Sequence, residues 1–258
     1  MKKINGTPKN LKELLQNTKY SIHYYQQEYA WRLKQIQELV DDLTDEFLIY
    51  YDPTHERKDV AQYGVYFMGS VVLAGRENAI IDGQQRLLSL SLLLIYLCRR
   101  LLNMDMTIAT VDQIIYSESF GTASFNISVE DREPCLQALN DGKDFGPEGY
   151  GESVKNLYAR YQDICYLFPE EIDDKALPYF ADWMTEKIYL IEIVTETEQD
   201  AHKVFVSMND RGLSLTSTEM LKGYLLSEMS DDKRREKLTR SEERRVGKEC
   251  RSRWSPYH

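Results

Sequence analysis

Apolar residues recur every three or four positions over long stretches of the chain and every second position over shorter ones, so helices and a few strands are both expected. Thr7-Pro8 ahead of Leu11, Leu14 and Leu15 predicts a short opening helix, with threonine as N-cap and proline in the first turn. Residues 20–25 are β-prone. From Leu33, positions Ile36, Leu39, Val40, Leu43 and Phe47 keep a 3.6-residue rhythm that predicts a long amphipathic helix. A polar loop at 52–59 precedes two predicted strands, 66–73 and 78–81, joined in hairpin fashion. Residues 84–102 predict an apolar helix buried along Leu87, Leu90, Leu94 and Leu97. Mainly helix is expected over 104–184, broken by a glycine-rich loop at 141–151. A strand over 187–194, a helix over 197–208, a loop over 209–215 and a last helix over 217–229 complete the pattern.

Strands and helices mix here without a regular βαβ alternation, and neither G-x-x-x-x-G-K-[ST] nor G-x-G-x-x-G occurs. The expected class is therefore α+β: a small mixed sheet with a mainly helical subdomain. The chain divides into a core at 1–103, a helical insertion at 104–184 and a completing segment at 185–239. With 258 residues, 42% of them hydrophobic and 11% aromatic, it has enough apolar material for one large domain or two small ones. No uncharged apolar run reaches the length of a membrane span, and the start lacks a signal-peptide core, so a cytoplasmic protein without membrane contact is expected. Cys98, Cys135, Cys165 and Cys250 show no C-x-x-C spacing and read as reduced thiols rather than metal ligands. The formal net charge of −10 repels a phosphate backbone over most of the surface. That argues against a DNA-coating protein and confines any nucleic-acid contact to a local basic patch.

From Arg240 to His258 periodicity stops and the composition swings to basic residues. The string resembles a sequencing adapter translated in frame, so a non-native tail is expected there, with the natural reading frame continuing past Thr239 into other sequence. The segment holds six Lys/Arg and three Asp/Glu, so residues 1–239 carry 26 against 39, a formal net of −13.

Three clusters carry candidate chemistry. In Ile80-Ile81-Asp82-Gly83-Gln84-Gln85-Arg86-Leu87 a strand delivers a carboxylate, a glycine permits a tight turn, and a helix begins beside two amides and a guanidinium. Its free N–H groups, its dipole and Arg86 favour phosphate, and Asp82 suits a Mg²⁺ ion or an oriented water. An ordinary turn and N-cap is the competing account of the same residues. A second cluster, Ser207-Met208-Asn209-Asp210-Arg211-Gly212, ends a helix. Asn209 and Gly212 suit a C-cap, whereas Arg211 offers a second guanidinium for phosphate. The third is the aromatic opening Tyr20, Tyr24, Tyr25, Tyr29 and Trp31, which either stacks on a base or fills the core. His23 and His202 have no evident catalytic partner.

In their order these clusters resemble the N-terminal domain family of GmrSD-type, modification-dependent restriction endonucleases, also known as domain-of-unknown-function family 262. The resemblance rests on the aromatic opening through Gln26, Tyr29 and Trp31, on Phe67-Met68-Gly69-Ser70, on Asp82-Gly83-Gln84-Gln85-Arg86-Leu87, and on Asn209-Asp210-Arg211-Gly212 with Leu215. It implies a ParB/sulfiredoxin-like core whose strand-turn-helix motif binds nucleotide phosphates, and NTP hydrolysis with Mg²⁺ coupled to a C-terminal nuclease that cuts modified DNA. By that resemblance Asp82 holds the metal or orients water, Gln84 and Gln85 place phosphate or water, and Arg86 neutralises charge in phosphoryl transfer. Gly83, Tyr25, Gln26, Asn209, Arg211 and Gly212 are the further nucleotide-binding residues. Two positions depart from the family pattern: His23 stands where proline is usual and Gln27 where arginine is usual. The loss of that cation weakens any phosphate or DNA contact at the opening. Two further readings follow: a ParB-like, nucleotide-switched DNA-binding module without hydrolysis, and a sulfiredoxin-like redox enzyme. The second needs a cysteine in the strand-turn-helix motif, and none precedes Cys98. The partners expected are nucleotide, DNA through the whole protein, and a further copy of the chain if it is a homo-oligomer.

Overall fold

The computed structural model describes residues 6–22, 29–75, 78–106, 109–119, 122–127 and 130–210. In chain order the elements are β1 (Gly6–Asn10), α1 (Leu11–Leu15), α2 (Leu33–Leu48), a 3-10 turn (Arg57–Gln62), β2 (Tyr66–Ala74) and β3 (Ala79–Asp82). They continue with α3 (Gln84–Leu102), α4 (Ala109–Ile115), β4 (Tyr116–Ser119), β5 (Thr122–Phe125), a second 3-10 turn (Glu130–Arg132) and α5 (Glu133–Asp141). The last are α6 (Glu152–Leu167), α7 (Leu177–Lys187), β6 (Ile188–Thr195) and α8 (Glu198–Asp210).

Four strands form a mixed sheet in the order β1-β6-β2-β3, and β4 pairs separately with β5. β6 runs antiparallel to β1 and parallel to β2, and β2 turns back antiparallel into β3. A parallel neighbour cannot be reached through a tight turn, so the whole helical stretch from α3 to α7 serves as the crossover between β2 and β6. The class is α+β, as the pattern of the sequence implies.

Side chains alternate across each strand and bury both faces of the sheet. Val71, Leu73, Ile80, Ile188 and Leu190 point into the large core shared with the helices. Val72, Ala74, Ile81, Ile191 and Ile193 point the other way and meet Ala201 and Val204 of α8. α3 runs through the large core, with eleven of its residues buried, which is why its sequence is apolar nearly all round. Beside it Phe47 of α2 packs edge-on against Phe180 of α7, with centroids 5.2 Å apart, and Trp183 donates its indole N–H to Gly64 O at 2.9 Å. Burial raises the Cys135 thiol to about 12, which fits a reduced, unreactive cysteine.

The structure departs from the sequence pattern at three places. α1 begins at Leu11 rather than near Thr7, because Gly6–Asn10 pairs with β6 as an edge strand. Pro8 is tolerated there because an edge strand does not need its missing N–H. Asn10 then caps α1, accepting from Glu13 N at 2.8 Å while Glu13 returns a bond to Asn10 N at 3.0 Å. The stretch 104–184 is mainly helical but also contains the β4–β5 hairpin. The helix expected to end at 208 continues through Asn209 to Asp210. Of the β-prone segment 20–25, Tyr20 and Ser21 form single bridges, to Ile127 and Ala79. The predicted helix 217–229 and the segment 240–258 lie outside the described residues.

Candidate functional site

The turn between β3 and α3 is built by a glycine that no other residue replaces without strain. Gly83 has φ +93°, and a Cβ there would lie 3.1 Å from Val71 Cγ2 and 3.2 Å from Ser70 O. The turn is therefore pressed directly onto β2. It leaves Asp82 half-buried at the end of β3, and Gln84, Gln85 and Arg86 on the first turn of α3.

β2 is irregular at the same level. Its pairing with β6 slips between Phe67 and Ser70, and Gly69 in this bulge has φ +98°. The Arg86 guanidinium fills the space the bulge opens. It donates Nη1 to Ser70 O at 2.9 Å and lies so close to Gly69 that a Cβ there would sit 3.2 Å from Nη1. That bond uses one of five guanidinium donors.

Burial lowers the Arg86 pKa, opposed by the nearby Asp82 and Tyr66. Burial likewise raises Asp82, opposed by the Arg86 charge and the Gly83 N–H. Each side chain thus favours the charged state of the other, yet both remain partly desolvated, a setting in which an added anion or cation is strongly felt.

Arg86 borders a cleft of about 310 Å³ between α2 and the bulged start of β2, lined by Trp31, Glu38 and Asp42 on one side and by Tyr66, Gly69 and Arg86 on the other. Tyr66 spans it, donating its hydroxyl to Asp42 Oδ2 at 3.1 Å. Of the residues singled out in the sequence, Arg86 lines this cleft. Asp82, Gln84 and Gln85 are not among its walls, although Asp82 and Arg86 interact across the turn. Gln85 is turned the other way. Its Oε1 accepts from Ala30 N at 2.9 Å and Trp31 N at 3.3 Å, so the phosphate-type turn grips the aromatic opening.

Of the opening aromatics, Tyr20 and Tyr29 are core residues, 4% and 0% exposed, whereas Trp31 is half-buried and reaches the cleft. Tyr25, Gln26, Arg211 and Gly212 lie outside the described residues. Asn209 is placed as backbone in the last turn of α8.

Residues 11–226 match the family described as GmrSD restriction endonuclease, N-terminal domain. The chain belongs to this family. No curated protein matches it. The GmrSD match covers the Gly83 turn, the β2 bulge, the cleft and the segment 209–215. Among the described residues of this GmrSD domain no helix is long and apolar enough to cross a membrane.

The sequence did not single out Glu38, Asp42 or Tyr66 as site residues. The helical spacing of Gln35, Glu38 and Asp42 marks one polar stripe on α2, the available signal, but a stripe of that kind ordinarily just faces solvent. Ser153, Asn156 and Arg160 of α6 also escaped notice, because their importance depends on a neighbour over 120 residues away.

Among the described residues no group of three His, Cys, Asp or Glu side chains forms a metal cage. Mg²⁺ suits this donor set nonetheless, because it commonly takes one or two carboxylates, with phosphate oxygens and water supplying the rest. Asp82, whose burial pushes its carboxyl up, has the character of a ligand that gains from a cation.

Proposed function

We propose that this domain binds and hydrolyses a nucleoside triphosphate in the cleft between α2 and the β2 bulge. In the whole cytoplasmic protein, that turnover controls a nuclease directed at modified foreign DNA. The observation that carries the reading is the Arg86 guanidinium, packed against a glycine bulge and lining a cleft of about 310 Å³. Arg86 sits on the first turn of α3, so the positive end of that helix's dipole adds to its charge. The ParB-like strand-turn-helix assignment rests on the same turn.

In this proposal Arg86 neutralises the charge that spreads over the transferred phosphoryl oxygens, in a partly desolvated setting that strengthens the effect. Gly83, pressed onto β2, sets the tight turn that places the start of α3 beside Arg86. The family resemblance assigns the attacking water to Gln84, which is half-buried on the first turn and lies beside the cleft, not in its walls. Asp82 would hold Mg²⁺, which supplies charge neutralisation between the phosphates when bound. The family resemblance would add Asn209, Arg211 and Gly212, together with Tyr25 and Gln26, as further nucleotide contacts.

The test is hydrolysis by the chain of each of the four common nucleoside triphosphates with Mg²⁺, beside Asp82→Ala and Arg86→Ala. Removing one charge-stabilising donor of this type typically costs roughly 100- to 1000-fold in kcat, which is the loss expected in Arg86→Ala, and Asp82→Ala is expected to lose turnover together with the Mg²⁺ it would hold. Saturable binding without turnover would reassign the domain as a nucleotide-switched DNA-binding module. Folded protein with neither binding nor turnover would end the nucleotide reading.

A further inference from the structure

Tyr29, Ala30 and Trp31 belong to no helix or strand, so their backbone groups need partners from elsewhere. They find them on two helices. Ser153 Oγ accepts from Tyr29 N at 3.0 Å, Asn156 Nδ2 donates to Tyr29 O at 3.1 Å, and Arg160 Nη1 donates to Trp31 O at 3.2 Å, all from α6. From α3, Gln85 Oε1 accepts from Ala30 N and Trp31 N, and Ser89 Oγ pairs with the Tyr29 hydroxyl at 2.7 Å. The backbone N–H groups of all three residues and the carbonyls of Tyr29 and Trp31 are thus held by side chains of regular elements. Such a segment keeps its shape before any ligand arrives, which lowers the cost of binding.

The side chain this framework delivers to the cleft is Trp31, which packs partly on the large core and lines the cleft together with Arg86. Gln85 and Arg86 are successive residues on α3, so they project about 100° apart around the helix. One reaches back to the opening segment and the other to the β2 bulge, so a single helical turn fixes the spacing between a flat aromatic surface and a cation. That pairing suits a nucleotide, which carries a planar base at one end and phosphates at the other.

We infer that Trp31 is the surface on which the nucleobase stacks, and that Gln85 is a positioning residue that fixes Trp31 instead of a ligand of phosphate or water. The inference rests on the nucleotide reading of the cleft and makes it specific. Tyr29 is fully buried and serves the anchor through Ser89, not the base. Stacking on an aromatic face tolerates any base, so Trp31 supplies affinity, and discrimination among bases falls to the polar wall of Glu38 and Asp42.

The experiment uses the 258-residue chain, steady-state hydrolysis and the quenching of intrinsic tryptophan fluorescence by each Mg²⁺-nucleotide. Trp183 is fully buried in the core and Trp254 is present in every variant, so a nucleotide-dependent quench that disappears in Trp31→Tyr reports the stacking residue. Trp31→Ala is expected to raise KM roughly 10- to 100-fold, the range of one lost base stack, with kcat changed little. Trp31→Tyr keeps an aromatic face and recovers most of that KM, which separates stacking from a folding defect. Gln85→Ala raises KM in the same direction and weakens the quench, while leaving kcat near that of the parent chain. A Gln85→Ala variant with lowered kcat and unchanged KM would overturn the inference and return Gln85 to the phosphates. Unchanged KM and quench in Trp31→Ala would overturn it too, with nucleotide binding itself intact. A parent chain that neither binds nor turns over nucleotide overturns both this inference and the reading beneath it.

Discussion

Glu46 lies one helical turn beyond Asp42 on α2, and burial raises its carboxyl from an ordinary 4.5 to about 6, with the Asp42 charge adding to the rise and a Tyr50 hydrogen bond opposing it. A carboxyl whose folded pKa is raised contributes its stability below about pH 4.5, and that contribution is lost as pH rises through about 6. Above that range the folded state carries a partly desolvated charge. Glu46→Gln is therefore expected to stabilise the chain by about 1–2 kcal/mol at pH 7.5 and to give no gain at pH 4, as read by thermal melts at the two values. A gain of equal size at both pH values would locate the effect in packing rather than charge. None of this was legible in the sequence, where Glu46 is one polar residue on a helix. Asp82, Gly83 and Arg86 were legible, because a strand, a glycine and a helix start are encoded by adjacent residues. The partner of Arg86 was not, since Ser70 is brought to it by a bulge in another strand.

The start of α1 shows how an element's boundary is decided. Thr7-Pro8 and Asn10-Leu11-Lys12-Glu13 both carry helix-start chemistry, and local propensity does not choose between them. The edge of β6 chooses, by pairing with Gly6–Asn10 and leaving Asn10 as the cap. Asn10→Ala is accordingly expected to cost about 1 kcal/mol in denaturant unfolding, whereas Thr7→Ala, at an exposed position of the edge strand, stays within about 0.5 kcal/mol. The reverse order would mean that the helix begins at Thr7 in solution. Long elements escaped such competition: α2 and α3 each repeat the apolar signal over four or more turns, so their spans were readable from spacing alone. The β4–β5 hairpin was not readable, because each strand is four residues long and the ring pair that joins them among the described residues, Tyr116 and Phe125 with centroids 4.1 Å apart, forms across the turn.

At the scale of the molecule the sheet separates two apolar layers of very different size. The helical layer from α1 to α7 fills one side, and α8 rests on the other through a small cluster that includes Ala201 and Val204. The order of the motifs announced the family, but nothing local announced this layering, since β6 reaches its place between β1 and β2 only after a crossover of over a hundred residues. The asymmetry has a consequence for stability. Among the described residues α8 is held by the smaller of the two clusters, so it should open without unfolding the rest, and segments that open in this way exchange their amides early. Hydrogen exchange is expected to show α8 less protected than α3. Leu90→Ala, at a fully buried position of α3, should cost about 3 kcal/mol and speed exchange throughout. Val204→Ala should cost about 1 kcal/mol and speed exchange in α8 alone. If both variants speed α3 and α8 together, the two layers unfold as one unit. In the expected case α8 can move separately, and it carries Asn209 into the segment proposed to contact the nucleotide. Val204→Ala would then weaken nucleotide binding by more than its effect on global stability accounts for.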